Sequence, residues 1–371
     1  MLKFVIESVC RGFARHNEFN KSFRTRISCR KSQMVLKKIT KNWKIITGTL
    51  LSLLFIFLAF RKVDFSQMGK AFADANYWLL APVLAVIFLS LLLRAWRWQY
   101  LLAPIRAVPL QALFSSLAIG YMANTFLPAH LGEFARACHA RDKSGIPASA
   151  IFATIVIERL IDIFTLLILL GLALAVFPFP DWVRKSGIIM LVLVAGLFVL
   201  LLLMKKNRSR TLAVCKRLTA FLPAAISKKT HELLDQFLNG IVGLQCAAHY
   251  LVAAMLSIAI WVCYALSFQL LFYAFDFVSL YHLPWTAALV ALVITTISVV
   301  VPSSPGYVGT YHFLCQVSLG FFAVPKGPAL SYAFVLHACN IFPVFFLGLF
   351  ILSREKISLS SIAKEQHDLD H

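Results

Sequence analysis

The sequence predicts an all-α, polytopic helical membrane protein with about seven to eight transmembrane helices and one or two re-entrant or broken segments. Three observations carry that expectation. Hydrophobic residues make up 60% of the 371-residue chain and charged residues 14%, against roughly 25% charged in soluble domains. That leaves too little polar surface to cover the roughly two to three soluble cores a chain of this length would hold. The apolar residues come in continuous runs of Leu, Ile, Val, Ala and Phe, without the alternation that the strands of a membrane barrel require. The formal charge is nevertheless +20, and it is concentrated in two segments. Together these exclude a disordered basic tail protein, a secreted disulfide scaffold and most soluble enzymes.

The hydrophobic runs lie at about 45–60, 77–93, 110–127, 148–177, 187–204, 250–275, 285–301, 305–323 and 329–352. A spanning helix needs ~20 apolar residues to cross ~30 Å of hydrocarbon, and several of these runs are shorter. Residues 1–44 carry twelve Lys and Arg against two acids, and 205–249 carry eight against two, so sixteen of the twenty excess charges sit there. Cytoplasmic loops are enriched in Lys and Arg, which places the 1–44 arm, the N-terminus and the 205–249 loop in the cytoplasm of a multi-pass cell-membrane protein, with a bacterial inner membrane as the setting. From Tyr250 to Leu352 the one basic residue is Lys326 and the one acid is Asp276.

Two cytoplasmic segments require an even number of crossings between them, and five runs lie between Lys44 and Lys205. The run expected not to cross is 110–127, which contains Ser115, Ser116, Gly120 and Asn124 and ends at Pro128. Arg94, Arg97 and Arg106 precede it and Arg136, Arg141 and Lys143 follow it, so both flanks read as cytoplasmic. Trp96 and Trp98 beside Arg94 and Arg97 have the composition of an interfacial anchor. The arm before Lys44 has no apolar core and is not expected to be a cleavable signal; Met34 is a second candidate start. Residues 353–371 form a short polar tail, for which Arg354, Lys356 and Lys364 favour the inside.

Within the hydrophobic body, two interruptions stand out. Asn124, Pro128, Gly132, Glu133 and Arg136 end the first: Pro128 removes a backbone donor and Gly132 permits a tight turn, which frees backbone groups for a ligand. Glu133 and Arg136, three apart, can pair on one helical face. Ser304, Pro305, Gly306, Gly309, Thr310 and Tyr311 form the second, a stretch that cannot continue as a lipid-facing helix. Pro305-x-x-x-Gly309-x-Tyr311 repeats the spacing of Pro128-x-x-x-Gly132-x-Phe134, and paired interruptions point to a binding site at a repeat interface. Between them, Glu158, Arg159 and Asp162 sit inside an apolar run, where ionisable groups mark a cavity, a relay or an inter-helix pair. His337 and Asn340 in the last run read as inter-helix hydrogen-bonding groups.

Catalytic and cofactor signatures are missing. The sequence has no H-E-x-x-H, no G-x-S-x-G, no paired Asp-rich diphosphate motif and no P-loop. The eight cysteines are scattered without metal-type spacing. No metal, cofactor or nucleic-acid partner is expected.

The stretch from Asn124 through Leu127-Pro128 to Gly132-Glu133 and Arg136, together with Glu158-Arg159 and Asp162 and with Pro305-Gly306, Gly309, Thr310 and Tyr311, resembles the lysylphosphatidylglycerol synthase transmembrane region family, also called flippase-like. The resemblance covers about residues 36–352. It implies a multi-span region that moves amino-acylated or glycan-bearing lipids between leaflets, with membrane lipids bearing anionic or lipid-linked headgroups as partners. Only 19 residues follow Leu352, so aminoacyl transfer by a soluble domain is not expected of this chain. Tyr307 stands after Gly306, where family members often carry a second glycine. On this reading Arg136 and Arg159 contact phosphate, because guanidinium forks match its oxygens, while Glu133, Glu158 and Asp162 position those arginines or relay protons. The alternative is a non-transporting membrane subunit that scaffolds a lipid-modifying or glycosyl-transfer enzyme, with a soluble transferase as partner.

Overall fold

A computed structural model describes residues 48–126, 131–179, 181–219, 231–232, 234–235, 238, 247–300 and 305–355. The 1–44 arm, Met34, Pro128, Ser304 and the tail beyond Glu355 lie outside the described residues. All regular structure among the described residues is helical, as the continuous apolar runs predicted.

Among the described residues, four helices are long and apolar enough to cross a membrane: Tyr77–Leu102, Ala148–Val176, Leu251–Ala274 and Lys326–Glu355. The first apolar run forms α1 (Gly48–Phe60). A short helix, α2 (Phe65–Asp74), follows; its N-cap Asp64 accepts from the amides of Ser66 and Gln67, which satisfies donors the helix cannot. A 3-10 turn leads into α3 (Leu80–Leu102). Next come α4 (Leu110–Phe126), α5 (Gly132–Ser144), α6 (Ala148–Val176), α7 (Asp181–Lys206) and α8 (Arg208–Leu218). The second half consists of α9 (Ala247–Ala274), α10 (Phe277–Tyr281), α11 (Thr286–Val300), a 3-10 turn at Pro305–Tyr307, α12 (Thr310–Gly320) and α13 (Lys326–Glu355).

Two pairs of short helices depart from the spanning pattern. The 17 and 13 residues of α4 and α5 give lengths of about 25 and 20 Å, short of the ~30 Å hydrocarbon. They run antiparallel: Asn124 meets Gly132, Gly120 meets Arg136, and Ser116 meets His139. The approach is closest at Gly132, where an added Cβ would lie 2.1 Å from the Gly120 carbonyl oxygen. Only glycine fits there, and this is the hairpin that the 110–127 composition pointed to. The helices α11 and α12, of 15 and 11 residues, flank the second interruption. The 305–323 run is thus a turn plus a short helix, because Gly306 and Tyr307 at φ +69° and +57° and Gly309 at φ +91° leave helical space.

Helix ends fall into two groups. Asn76 before α3 donates to Ala274 at the end of α9, Phe177 after α6 packs on Phe321 and Phe322 after α12, and Lys326 at the start of α13 donates to the Arg61 carbonyl. At the opposite ends, Arg106 after α3 donates to the Ser144 carbonyl at the end of α5. Lys143 there pairs with Glu355 at the end of α13, at 2.8 Å. The hairpin α4–α5 therefore starts and ends beside the last residues of α3 and α13.

Candidate functional site

Helix α3 runs nine residues past the apolar stretch that predicted it, because no breaker precedes Pro104. That extension carries Arg94, Arg97 and Trp98 into the interior and corrects the anchor reading. Trp98 is fully buried and donates through Nε1 to Thr154 Oγ1 at 3.0 Å. Arg97 is fully buried and Arg94 nearly so; of the set, Trp96 keeps substantial exposure. An arginine is stable at such a position only when carboxylates meet it, and α6 supplies them.

Glu158 and Asp162 are one helical turn apart on α6 and both face α3. Arg97 donates through Nη1 to Asp162 Oδ1 at 2.7 Å and to Ser257 Oγ of α9 at 2.9 Å, and its Nη2 lies 3.4 Å from Glu158 Oε1. Arg94 donates to the hydroxyls of Tyr264 on α9 and Tyr121 on α4, the latter at 2.7 Å, and approaches Asp162 Oδ2 at 3.4 Å. From α5, Arg136 donates through Nη2 to Glu158 Oε2 at 2.7 Å, with its guanidinium 3.7 Å from the centroid of the Trp98 ring. Arg159 donates to Glu158 Oε1 at 3.0 Å, and lies 3.7 Å from Glu133 and 3.8 Å from Asp162. Five helices thus converge on one cluster of four guanidinium groups and three carboxylates.

The cluster is not uniform. The Glu158, Arg97 and Arg136 side chains have 0% exposure, whereas Arg159 retains 36%. Among the described residues Glu133 makes long pairs, 3.7 Å to both Arg136 and Arg159. Nε and Nη1 of Arg136, Nε and Nη2 of Arg97 and Nε of Arg159 are buried donors without a hydrogen-bond acceptor among the described residues. Four cations against three anions leave one positive charge in excess, together with spare donors.

The other predicted residues brace this centre. Asn124 Oδ1 accepts from the Gly132 amide at 2.8 Å and fixes the start of α5. Gly306 comes close to the Thr125 carbonyl at the end of α4, 3.7 Å from where a Cβ would sit, and Tyr307 is in electrostatic reach of Glu133, Arg159 and Tyr121. The turn beginning at Pro305 therefore abuts the tip of the α4–α5 hairpin. Thr310 Oγ1 donates to the Tyr307 carbonyl at 3.0 Å. Tyr311 is not drawn into the ionic centre: it is buried and stacks on His337 of α13 at 4.5 Å. His337 donates through Nε2 to the Gly306 carbonyl at 2.9 Å, and Asn340 donates to Leu336 within its own helix.

A second polar series closes the open end of the hairpin. Ser116 Oγ lies 2.8 Å from His139 Nδ1, and His139 Nε2 lies 2.8 Å from Glu355 Oε2. Ser116 is fully buried, and its hydroxyl also donates to the Ala112 carbonyl one turn back. The His139–Glu355 contact ties α13 to the hairpin. Sequence reasoning missed Arg94, Arg97, Tyr121, Ser257 and Tyr264. The legible signal was the three-residue spacing of Arg94 and Arg97, which puts both on one face of an uninterrupted helix.

These features define a helical membrane protein whose two broken segments meet beside a buried ionic centre. The model of the family described as "Lysylphosphatidylglycerol synthase TM region" matches residues 45–348, and the chain belongs to that family. It is also similar to a protein named Glycosyltransferase AglD from Haloferax volcanii, at 28% identity over 141 residues. That match takes in 38% of this chain and 23% of the length of that relative.

Proposed function

We propose that the protein binds the anionic headgroup of a lipid or lipid-linked substrate at the ionic centre and helps it cross between leaflets of the cell membrane. The observation that carries this reading is the excess guanidinium charge beside Arg159, the cluster's most exposed member. Arg136 is locked between Glu158 and the Trp98 ring, so of the two arginines expected to meet phosphate, Arg159 is the one that reaches it. Its fork matches phosphate oxygens in charge and geometry. Glu133, Glu158 and Asp162 hold the arginines apart and oriented.

The topology supports an alternating path. With the N-terminus and the end group containing Arg106, Arg141 and Lys143 assigned to the cytoplasm by the distribution of basic residues, α4–α5 enters from the cytoplasmic side. The pair α11–α12 enters from the other. Their tips then meet inside the membrane, the arrangement in which interrupted segments build a substrate site.

The test is translocation of fluorescent anionic lipid analogues in proteoliposomes, with mass spectrometry of lipids that co-purify. Arg159→Gln is expected to lower the rate at least about tenfold, the loss of one charge-assisted contact, while leaving the folded yield unchanged. An unchanged rate overturns the reading. The similarity to a glycosyltransferase favours a second reading, a non-transporting subunit that presents a lipid-linked substrate to a soluble transferase. Purified protein that binds lipid-linked sugar without moving it, and gains turnover only when a transferase is added, selects that reading.

A further inference from the structure

The ionic centre treats its three carboxylates differently. Glu158 meets Arg136 Nη2 at 2.7 Å and Asp162 meets Arg97 Nη1 at 2.7 Å, the spacing of a charge-assisted hydrogen bond. Glu133 has no contact of that kind among the described residues. Its Oε2 stands 3.7 Å from Arg136 Nη1 and its Oε1 stands 3.7 Å from Arg159 Nε. Those two nitrogens are themselves buried donors without an acceptor among the described residues. One carboxylate therefore bridges two arginines on different helices, one oxygen to each, and hydrogen-bonds to neither.

That arrangement is a counter-ion held loosely. A buried guanidinium N–H left unpaired is costly, and Glu133 balances charge at both arginines without satisfying a donor on either. A phosphate group offers the same bridging pattern, two oxygens for two forks, and it is not tethered to α5 as Glu133 is. Position agrees with this exchange. Glu133 lies in the first turn of α5, and its side chain keeps 12% exposure, between the 36% of Arg159 and the 0% of Arg136. The Arg136 guanidinium is already engaged by Glu158 through Nη2 and by the Trp98 ring. Its Nη1 faces Glu133, so an anion arriving along Arg159 reaches Arg136 only when that carboxylate gives way.

We propose that Glu133 is an internal competitor for the headgroup site: an incoming phosphate displaces its carboxylate and bridges Arg136 Nη1 and Arg159 Nε in its place. This rests on the headgroup reading above and adds to it a second arginine and a resident anion that sets the affinity. The ligand chemistry is a phosphate with two free oxygens, carried by a lipid or free in solution.

The test measures apparent affinity for phosphatidylglycerol carrying a dansyl tail label, with the full chain in maltoside micelles and energy transfer from its tryptophans as the signal. Glu133→Gln keeps the shape and removes the charge, and is expected to tighten binding by about fivefold, the worth of a partly exposed ion pair. In the Arg159→Gln background that gain is expected to shrink, because the two substitutions act on one contact. Should Glu133→Gln fail to fold, Glu133→Asp withdraws the carboxylate from both arginines and is expected to tighten binding by a smaller factor. Folded variants that bind as the parent does, or more weakly, overturn the proposal: the first result leaves water bridging the two donors, the second leaves Glu133 orienting the arginines. A parent that binds no labelled lipid overturns the headgroup reading and this proposal with it. Competition separates the two sources of phosphate. Displacement of the label by short-chain phosphatidylglycerol and not by inorganic phosphate supports exchange with a lipid, whereas equal displacement by inorganic phosphate supports exchange with a free anion and removes the lipid from the site.

Discussion

The α4–α5 hairpin and the α11–α12 pair solve one backbone problem with opposite chemistry. Each breaks a short helix inside the hydrophobic body and restarts it at a glycine. Around the first, the tip is set by a side-chain amide; the flanking helices α3 and α6 deliver five charged groups and α5 itself two. Around the second, the tip is set by two imidazoles in aromatic surroundings, within a 250–352 region that holds two charged residues in all. Charge is costly at this depth, and removing one partner leaves the others unpaired. The first hairpin is accordingly organised by ion pairing, and the second by packing and hydrogen bonds between imidazoles and the backbone. The difference makes separable predictions.

The largest effect is expected at Glu158. It alone pairs with Arg97, Arg136 and Arg159 and also approaches Arg94. Glu158→Ala leaves the fully buried Arg97 and Arg136 guanidinium groups without their shared carboxylate, at a cost of about 3–5 kcal/mol. Thermal unfolding in detergent should show a large drop, or the folded yield should collapse. A stability within error of the parent would mean that the centre is hydrated and that charge does not organise this half.

Next is Tyr264, whose hydroxyl accepts from Arg94 Nε. Tyr264→Phe keeps the ring and strands a charged donor, which costs about 1.5–3 kcal/mol. The same removal at Tyr332, whose hydroxyl donates to the Phe268 carbonyl at 2.9 Å, takes one neutral hydrogen bond from an acceptor inside α9 and costs about 0.5–1.5 kcal/mol. The ordering, measured by denaturation of both variants, tests whether charge or neutral bonding dominates each half.

How much of this was legible depended on whether a residue's role is local. Gly132, Pro305, Gly306 and Gly309 were readable because a break in an apolar run is a one-dimensional signal. Glu158, Arg159 and Asp162 were readable because charge in such a run is anomalous by itself. Arg94 and Arg97 were not read so: at the end of a run they follow the pattern of topology-setting charges, and although their spacing puts them on one helical face, the approach of α6 is what identifies Glu158 and Asp162 as their partners. His312 was invisible for the same reason. Its function as a cap depends on Gly309 at φ +91°, which no composition announces. The amphipathic α2 was also missed, since its ten residues carry no long apolar stretch.

The smallest effect is expected at Tyr311, and it sharpens the comparison most. The family resemblance placed this residue with the substrate-binding set, but its ring is buried against His337 and remote from the ionic centre. What it contributes is stacking area, which Phe supplies equally. Tyr311→Phe should therefore change stability by no more than about 0.5 kcal/mol and leave the rate of lipid movement as it was, whereas Tyr311→Ala removes the ring and should cost about 3–5 kcal/mol. Denaturation of the two variants alongside the proteoliposome assay separates packing from chemistry. A Phe variant that is stable but slower in that assay would show that the hydroxyl reaches the substrate, and would extend the proposed site from the Pro305–Tyr307 turn into α12.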